Sequence, residues 1–186
     1  MKTSLTICLV FVFFFGVFTI PLMGQEGAAK SEAPGYVGTK TCGMCHKGEK
    51  KGSQLEIWQS SAHANAYTDL GKDKAKEFAA KAGVKGNPQE SDQCLKCHVT
   101  AFGADASLIG KKFVKEEGVQ CEACHGPGSN YKKKTVMQDR ELAVKAGLVM
   151  PDEKTCTACH NEDSPTFAGF DFNEYLGKIA HPIPGE

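Results

Sequence analysis

The chain has 186 residues, with 22 Lys and Arg against 22 Asp and Glu, and this balance excludes a general attraction for nucleic acid or for an acidic membrane surface. With 20 Gly, a single Trp and its one long apolar run at the N-terminus, the remainder has too little apolar side-chain surface to offset its own conformational entropy. A conventional side-chain core is excluded, so another group is expected to fill the interior.

In chain order, Lys2, an apolar run at 5–20 and the break at Pro21 to Gly24 form the layout of a secretory signal peptide over residues 1–24. The run has 16 residues, short of the roughly 20 that span a bilayer. Cleavage is therefore expected, with no stable membrane span afterwards and a periplasmic or otherwise exported product. Cys8 lies inside the apolar run, away from any lipid-attachment signal, and should leave with the peptide. Residues 25–40, with Pro34 and Gly35, read as a flexible leader, and 41–186 as one domain.

Within that domain Cys42, Cys45 and His46 come first. Residues 54–70 carry Leu55, Trp58 and Ala62 at helical spacing, and 72–82 form a second helix stopped by Gly83. A loop at 87–91 precedes Cys94, Cys97 and His98, and a turn-rich stretch at 103–110 follows. Cys121, Cys124 and His125 run into Gly126, Pro127 and Gly128. Residues 139–146 form a short helix closed by Gly147, then come Cys156, Cys159 and His160, and a last helix at 173–180 ends before Pro182. Strand alternation is absent throughout, so the expected fold is mainly α with extensive irregular loops.

The four Cys-x-x-Cys-His units are the attachment pattern of c-type haem. Two thiols about one helical turn apart match the two vinyl groups on one edge of a porphyrin, and the next residue brings an imidazole under the iron. Zinc sites would draw four ligands from two such units and leave each adjoining histidine without a role. Disulfide motifs of this spacing belong with βαβ patterning, which is missing. Cys42, Cys45, Cys94, Cys97, Cys121, Cys124, Cys156 and Cys159 are thus the expected thioether positions, and His46, His98, His125 and His160 the proximal ligands of four covalently bound haems. The expected architecture is a multihaem cytochrome c with one porphyrin per roughly 40 residues, whose apolar faces replace an ordinary interior. Folding and attachment are then coupled, and a haem-free chain should be largely unfolded.

Only His63 and His181 remain as sixth ligands for four irons. His63 lies five residues after Trp58 between small alanines, and His181 follows a helix end where the tail can fold back. Met44 sits inside its own motif and is poorly placed for a distal face. Met137 and Met150 are further candidates, each also readable as packing. An iron with no sixth ligand would bind small molecules, or take a ligand from a neighbouring molecule.

The stretches CGMCH, WQSSAHANA (58–66), CLKCHVTAFG, GVQCEACHGPGSNY and CTACH resemble the tetrahaem cytochrome c-554 family of periplasmic electron carriers, in order and over most of the domain. That resemblance implies that His63 serves a haem other than its neighbour, that the haems form closely packed, partly stacked pairs, and that the haem on His98 is five-coordinate. The chain departs from the family between His125 and His160, where further distal histidines are usual and Tyr131 and the lysines at 132–134 stand instead. The leading expectation is electron transfer between redox proteins. The shortage of ligands motivates two others, an oxidoreductase acting on a nitrogen oxide or peroxide at an open iron, and a subunit of a haem filament.

Overall fold

The computed structural model describes residues 33–183, all within one compact unit. The signal peptide, Cys8 and residues 25–32 of the leader lie outside the described residues. In chain order the helices are α1 (Thr39–Cys42), α2 (Gln54–Ser60), α3 (Ala66–Asp69), α4 (Asp73–Lys81), α5 (Asp92–His98), α6 (Cys121–His125), α7 (Lys134–Met137), α8 (Arg140–Lys145), α9 (Glu153–Thr157) and α10 (Phe172–Ile179), with short 3-10 turns between them. Tyr36 and Ile109 form an isolated parallel bridge, and no strand occurs among the described residues. The fold is mainly α with irregular loops, as the sequence leads one to expect.

Local chemistry explains most boundaries. Asp139 and Asp171 each accept a hydrogen bond from an amide of the first turn, from Leu142 and Glu174, and Asp152 with Thr155 forms a reciprocal capping box at α9. Gly83 and Gly147 end α4 and α8 with φ of 76° and 105°, a conformation that costs glycine little. The exception is the long helix expected at 54–70. There the Ser60 and Ser61 hydroxyls bond back to the Ile57 and Trp58 carbonyls, and Ser61 turns extended at φ −85°, ψ 161°. These hydroxyls compete with the backbone ladder, so α2 stops and a 3-10 turn over Ala62–Asn65 carries His63.

The buried side-chain core is small. Leu70, Leu95 and Val99 form its one cluster among the described residues, with Tyr67 and Cys94 packed against it. Burying three such side chains contributes about 5–9 kcal/mol, while fixing each residue's backbone costs about 1–2 kcal/mol. Meanwhile Phe102, Leu142, Val144 and Met150 stay exposed. Side chains alone do not hold this fold.

Polar contacts hold what the apolar core does not. Glu122, inside the third motif, is only 3% exposed, and its carboxylate accepts from the amides of Val37 (2.8 Å), Gly38 (2.8 Å) and Gly128 (2.6 Å). Gln120 accepts from the Thr39 amide and hydroxyl and donates to the Val114 carbonyl. Gly35 exchanges hydrogen bonds with Ser129. A Cβ on Gly38, at φ 81°, would lie 2.6 Å from the Lys112 carbonyl oxygen, so only glycine allows this approach. Within residues 35–39 the Val37 and Gly38 amides are matched to a carboxylate more than eighty residues away, which no local pattern announces.

Replacing Glu122 with Ala would leave three buried amides without an acceptor, at about 2–4 kcal/mol. Glu122→Gln, which keeps one acceptor, should lose less. Guanidinium unfolding followed by far-ultraviolet circular dichroism should rank the two variants in that order; equal midpoints for wild type and Glu122→Ala would contradict the clamp.

Candidate functional site

Each motif is set by a helix end. Cys42 closes α1, the second motif closes α5, the third is the whole of α6, and Cys156 lies in α9 with Cys159 and His160 just beyond it. The eight thiols in the four motifs form no disulfide. Across motifs, the thiols of Cys42 and Cys121, of Cys97 and Cys159, and of Cys124 and Cys156 lie near enough to shift one another's ionisation. The neighbouring Cys121 thiol, together with burial, pushes the Cys42 thiol well up, whereas the Cys42 thiol lowers Cys121. Burial and the Cys97 thiol push Cys159 up to about 12. Cys45 alone of the eight is exposed.

The histidines are oriented from behind. His98 Nδ1 lies 2.7 Å from the Ala66 carbonyl oxygen, and His125 Nδ1 lies 3.0 Å from that of Val149. A ring that donates its Nδ1 proton to a carbonyl keeps a lone pair on Nε2, the tautomer a metal ligand needs. His160 stacks on Phe170, with centroids 5.1 Å apart at 23°, and touches Tyr175 at 5.7 Å. Burial is the first cause lowering the pKa of His46, His63, His125 and His160. Neutral imidazole, the metal-binding form, is thereby favoured.

Two further histidines reach these rings. His63 lies 6.0 Å from His160 and His181 lies 5.8 Å from His125, centroid to centroid. Two imidazoles on opposite sides of one metal, each bonded at about 2 Å with its ring centre about 1 Å further back, span about 6 Å. The Nδ1 atom of His181 is buried without a hydrogen-bond partner. These residues fit an iron held between each pair of rings. Among the described residues no three His, Cys, Asp or Glu side chains converge as a bare-ion site. Met137 closes α7 and Met150 is 49% exposed ahead of α9; neither belongs to a ring pair.

Contacts that local spacing does not show place these rings. Trp58 Nε1 donates to the Val119 carbonyl at 2.7 Å, and the Val119 amide donates to the His63 carbonyl at 3.0 Å. Gly118 sits at φ 69°, where a Cβ would come within 2.8 Å of the His63 carbonyl oxygen. The tail is held too: Gln54 donates to the Pro182 carbonyl at 3.2 Å, beside His181. Phe170 and Tyr175, one on either side of the α10 start, were legible only as aromatics near a helix cap. Trp58→Phe keeps the ring bulk but leaves the Val119 carbonyl unpaired, and should cost about 1–2 kcal/mol in an equilibrium denaturation of the purified protein.

A chain whose described residues hold no strand, and whose thiols and imidazoles come there in repeated units and not as a single convergent cluster, is built as a c-type cytochrome. Residues 41–126, through the third motif, match the family model for cytochrome c554 and c-prime. Over 155 residues the chain is 35% identical to cytochrome c-554 of Nitrosomonas europaea, a match covering 74% of this chain and 61% of that protein. It belongs to the cytochrome c-554 family, whose cofactor is covalently bound c-type haem. The aligned region spans about three fifths of the length of that relative. No solved structure matches the chain.

Proposed function

We propose that this chain is an exported tetrahaem cytochrome that carries electrons between redox proteins. Bound haem supplies the one-electron chemistry of its iron. The four cysteine pairs form the thioethers, and His46, His98, His125 and His160 are the proximal ligands. His63 serves the iron of His160, and His181 that of His125. The observation that carries this reading is the pair of ring separations of 6.0 and 5.8 Å, each joining a motif histidine to one from elsewhere in the chain.

Cross-motif thiol contacts support a continuous order of attachment points. Cys42 with Cys121 joins motif one to three, Cys124 with Cys156 joins three to four, and Cys159 with Cys97 joins four to two. The motif histidines and seven of the eight motif cysteines are half-buried, Cys45 being exposed, and among the described residues no three His, Cys, Asp or Glu side chains converge beside them. This favours electron carriage over catalysis. The apolar N-terminal run supports delivery to the periplasm or another exported location, where haem is attached.

A second reading has one specific observation in its favour. Among the described residues neither His46 nor His98 has a second imidazole in ring contact, so two irons would rely on Met137, Met150, another molecule or no sixth ligand at all. An open iron admits reduction of a small nitrogen oxide or peroxide. Rapid turnover of nitrite, hydroxylamine or peroxide with an artificial donor would favour this reading over the carrier.

The carrier reading is tested on purified exported protein. Intact mass should show four added haems. His63→Ala and His181→Ala should each convert one low-spin iron to high-spin and add one equivalent of carbon monoxide binding in the reduced state. A colourless protein, or variants with wild-type spectra, would refute the assignment.

A further inference from the structure

Beside the first motif the surface forms an open concavity of about 490 Å³, with Met44 and Cys45 on one side and Lys111, Lys112, Lys132 and Lys133 around it. Met44 is 58% exposed and Cys45 is exposed. All four lysines are exposed, and none has an ion-pair partner among the described residues. No carboxylate lines the concavity. The Glu122 carboxylate in the underlying frame is buried and occupied by backbone amides. A chain of zero net charge thus gathers uncompensated positive charge at one place, next to the exposed cysteine of the first motif.

The lysines are held on a braced frame. Residues 35–38 run between the two lysine-bearing segments. On one side Tyr36 bonds through its amide to the Leu108 carbonyl, and through its carbonyl to the Gly110 amide. On the other side Gly35 and Gly38 are tied to Ser129 and Glu122. Tyr36 also meets the Phe113 ring at 6.3 Å. The two lysine pairs therefore keep a defined spacing although they lie some twenty residues apart in sequence.

We propose that this lysine-rimmed concavity is the docking surface for an acidic redox protein, which exchanges electrons at the Cys45 edge of the first motif. The proposal rests on the carrier reading above. An exposed apolar side chain, Met44, beside a set of exposed charges suits a transient protein interface. A pocket for a small anion would instead aim buried donors inward, and these ammonium groups stand in solvent. Like charges clustered around one concavity steer an oppositely charged protein and raise its encounter rate by 10-fold or more at low salt.

The test uses the haem-loaded protein and bacterial flavodoxin, an acidic one-electron protein, as the probe. Stopped-flow reduction by flavodoxin semiquinone is followed from about 20 to about 300 mM salt, a range over which charge screening tightens several-fold. Calorimetry with oxidised flavodoxin gives Kd without any electron transfer. Two variants of equal charge change are compared after their haem spectra are matched to wild type: Lys111→Glu, Lys112→Glu, Lys132→Glu and Lys133→Glu together, and Lys74→Glu, Lys76→Glu, Lys81→Glu and Lys85→Glu together. The first should slow reduction and weaken binding at least 10-fold at low salt and abolish the fall of rate with salt; the second should stay within about twofold of wild type. If both variants lose equally, or the first loses less than about twofold, the docking surface is wrong while the carrier reading stands. A protein that cannot be cycled with dithionite overturns the carrier reading, and this proposal with it.

Discussion

The organisation of this molecule depends on imidazole rings meeting in pairs about 6 Å apart. His63, just after α2, meets His160 beyond α9, and His181 at the tail meets His125 at the end of α6. These contacts draw the beginning of the domain and its end onto the middle. Neither pair brings an anionic partner or a hydrogen bond between the rings, so as bare side chains they contribute little stability. They would become structural links with a haem iron held between them, the arrangement proposed above.

The same logic accounts for the small side-chain core. A domain that ties its motifs through covalent porphyrins does not need many buried leucines, and Leu70, Leu95 and Val99 are enough to seat α5 against α3. What the chain must still supply is alignment. Here that task falls to buried polar groups with fixed geometry, above all Glu122 and Gln120, which lock the first motif against the third and bring Cys42 to Cys121. Trp58 and Gly118 do the same for His63.

The cytochrome c-554 assignment and the departures from it come from different parts of the chain. The family match runs through the third motif and ends there, while the region after His125 carries lysines where the resemblance implies distal histidines. In the structure those lysines do not point to ligation. Lys132 and Lys133 border an exposed concavity together with Lys111 and Lys112. The segment without further histidines thus supplies two of the four lysines at the concavity.

The amino-acid sequence by itself determined the covalent chemistry, because Cys-x-x-Cys-His encodes thiol spacing and an adjoining imidazole within five residues. It also determined most helix ends, through local caps such as Asp139 and Asp171 and stops such as Gly83 and Gly147. Only the tertiary structure decided which distant side chains meet. The capture of the Val37 and Gly38 amides by Glu122, the His63–His160 and His125–His181 pairs and the joined lysine segments all arise from contacts between parts of the chain remote in sequence. A local pattern records what a residue can bond to nearby, and these partners are chosen by how the loops close.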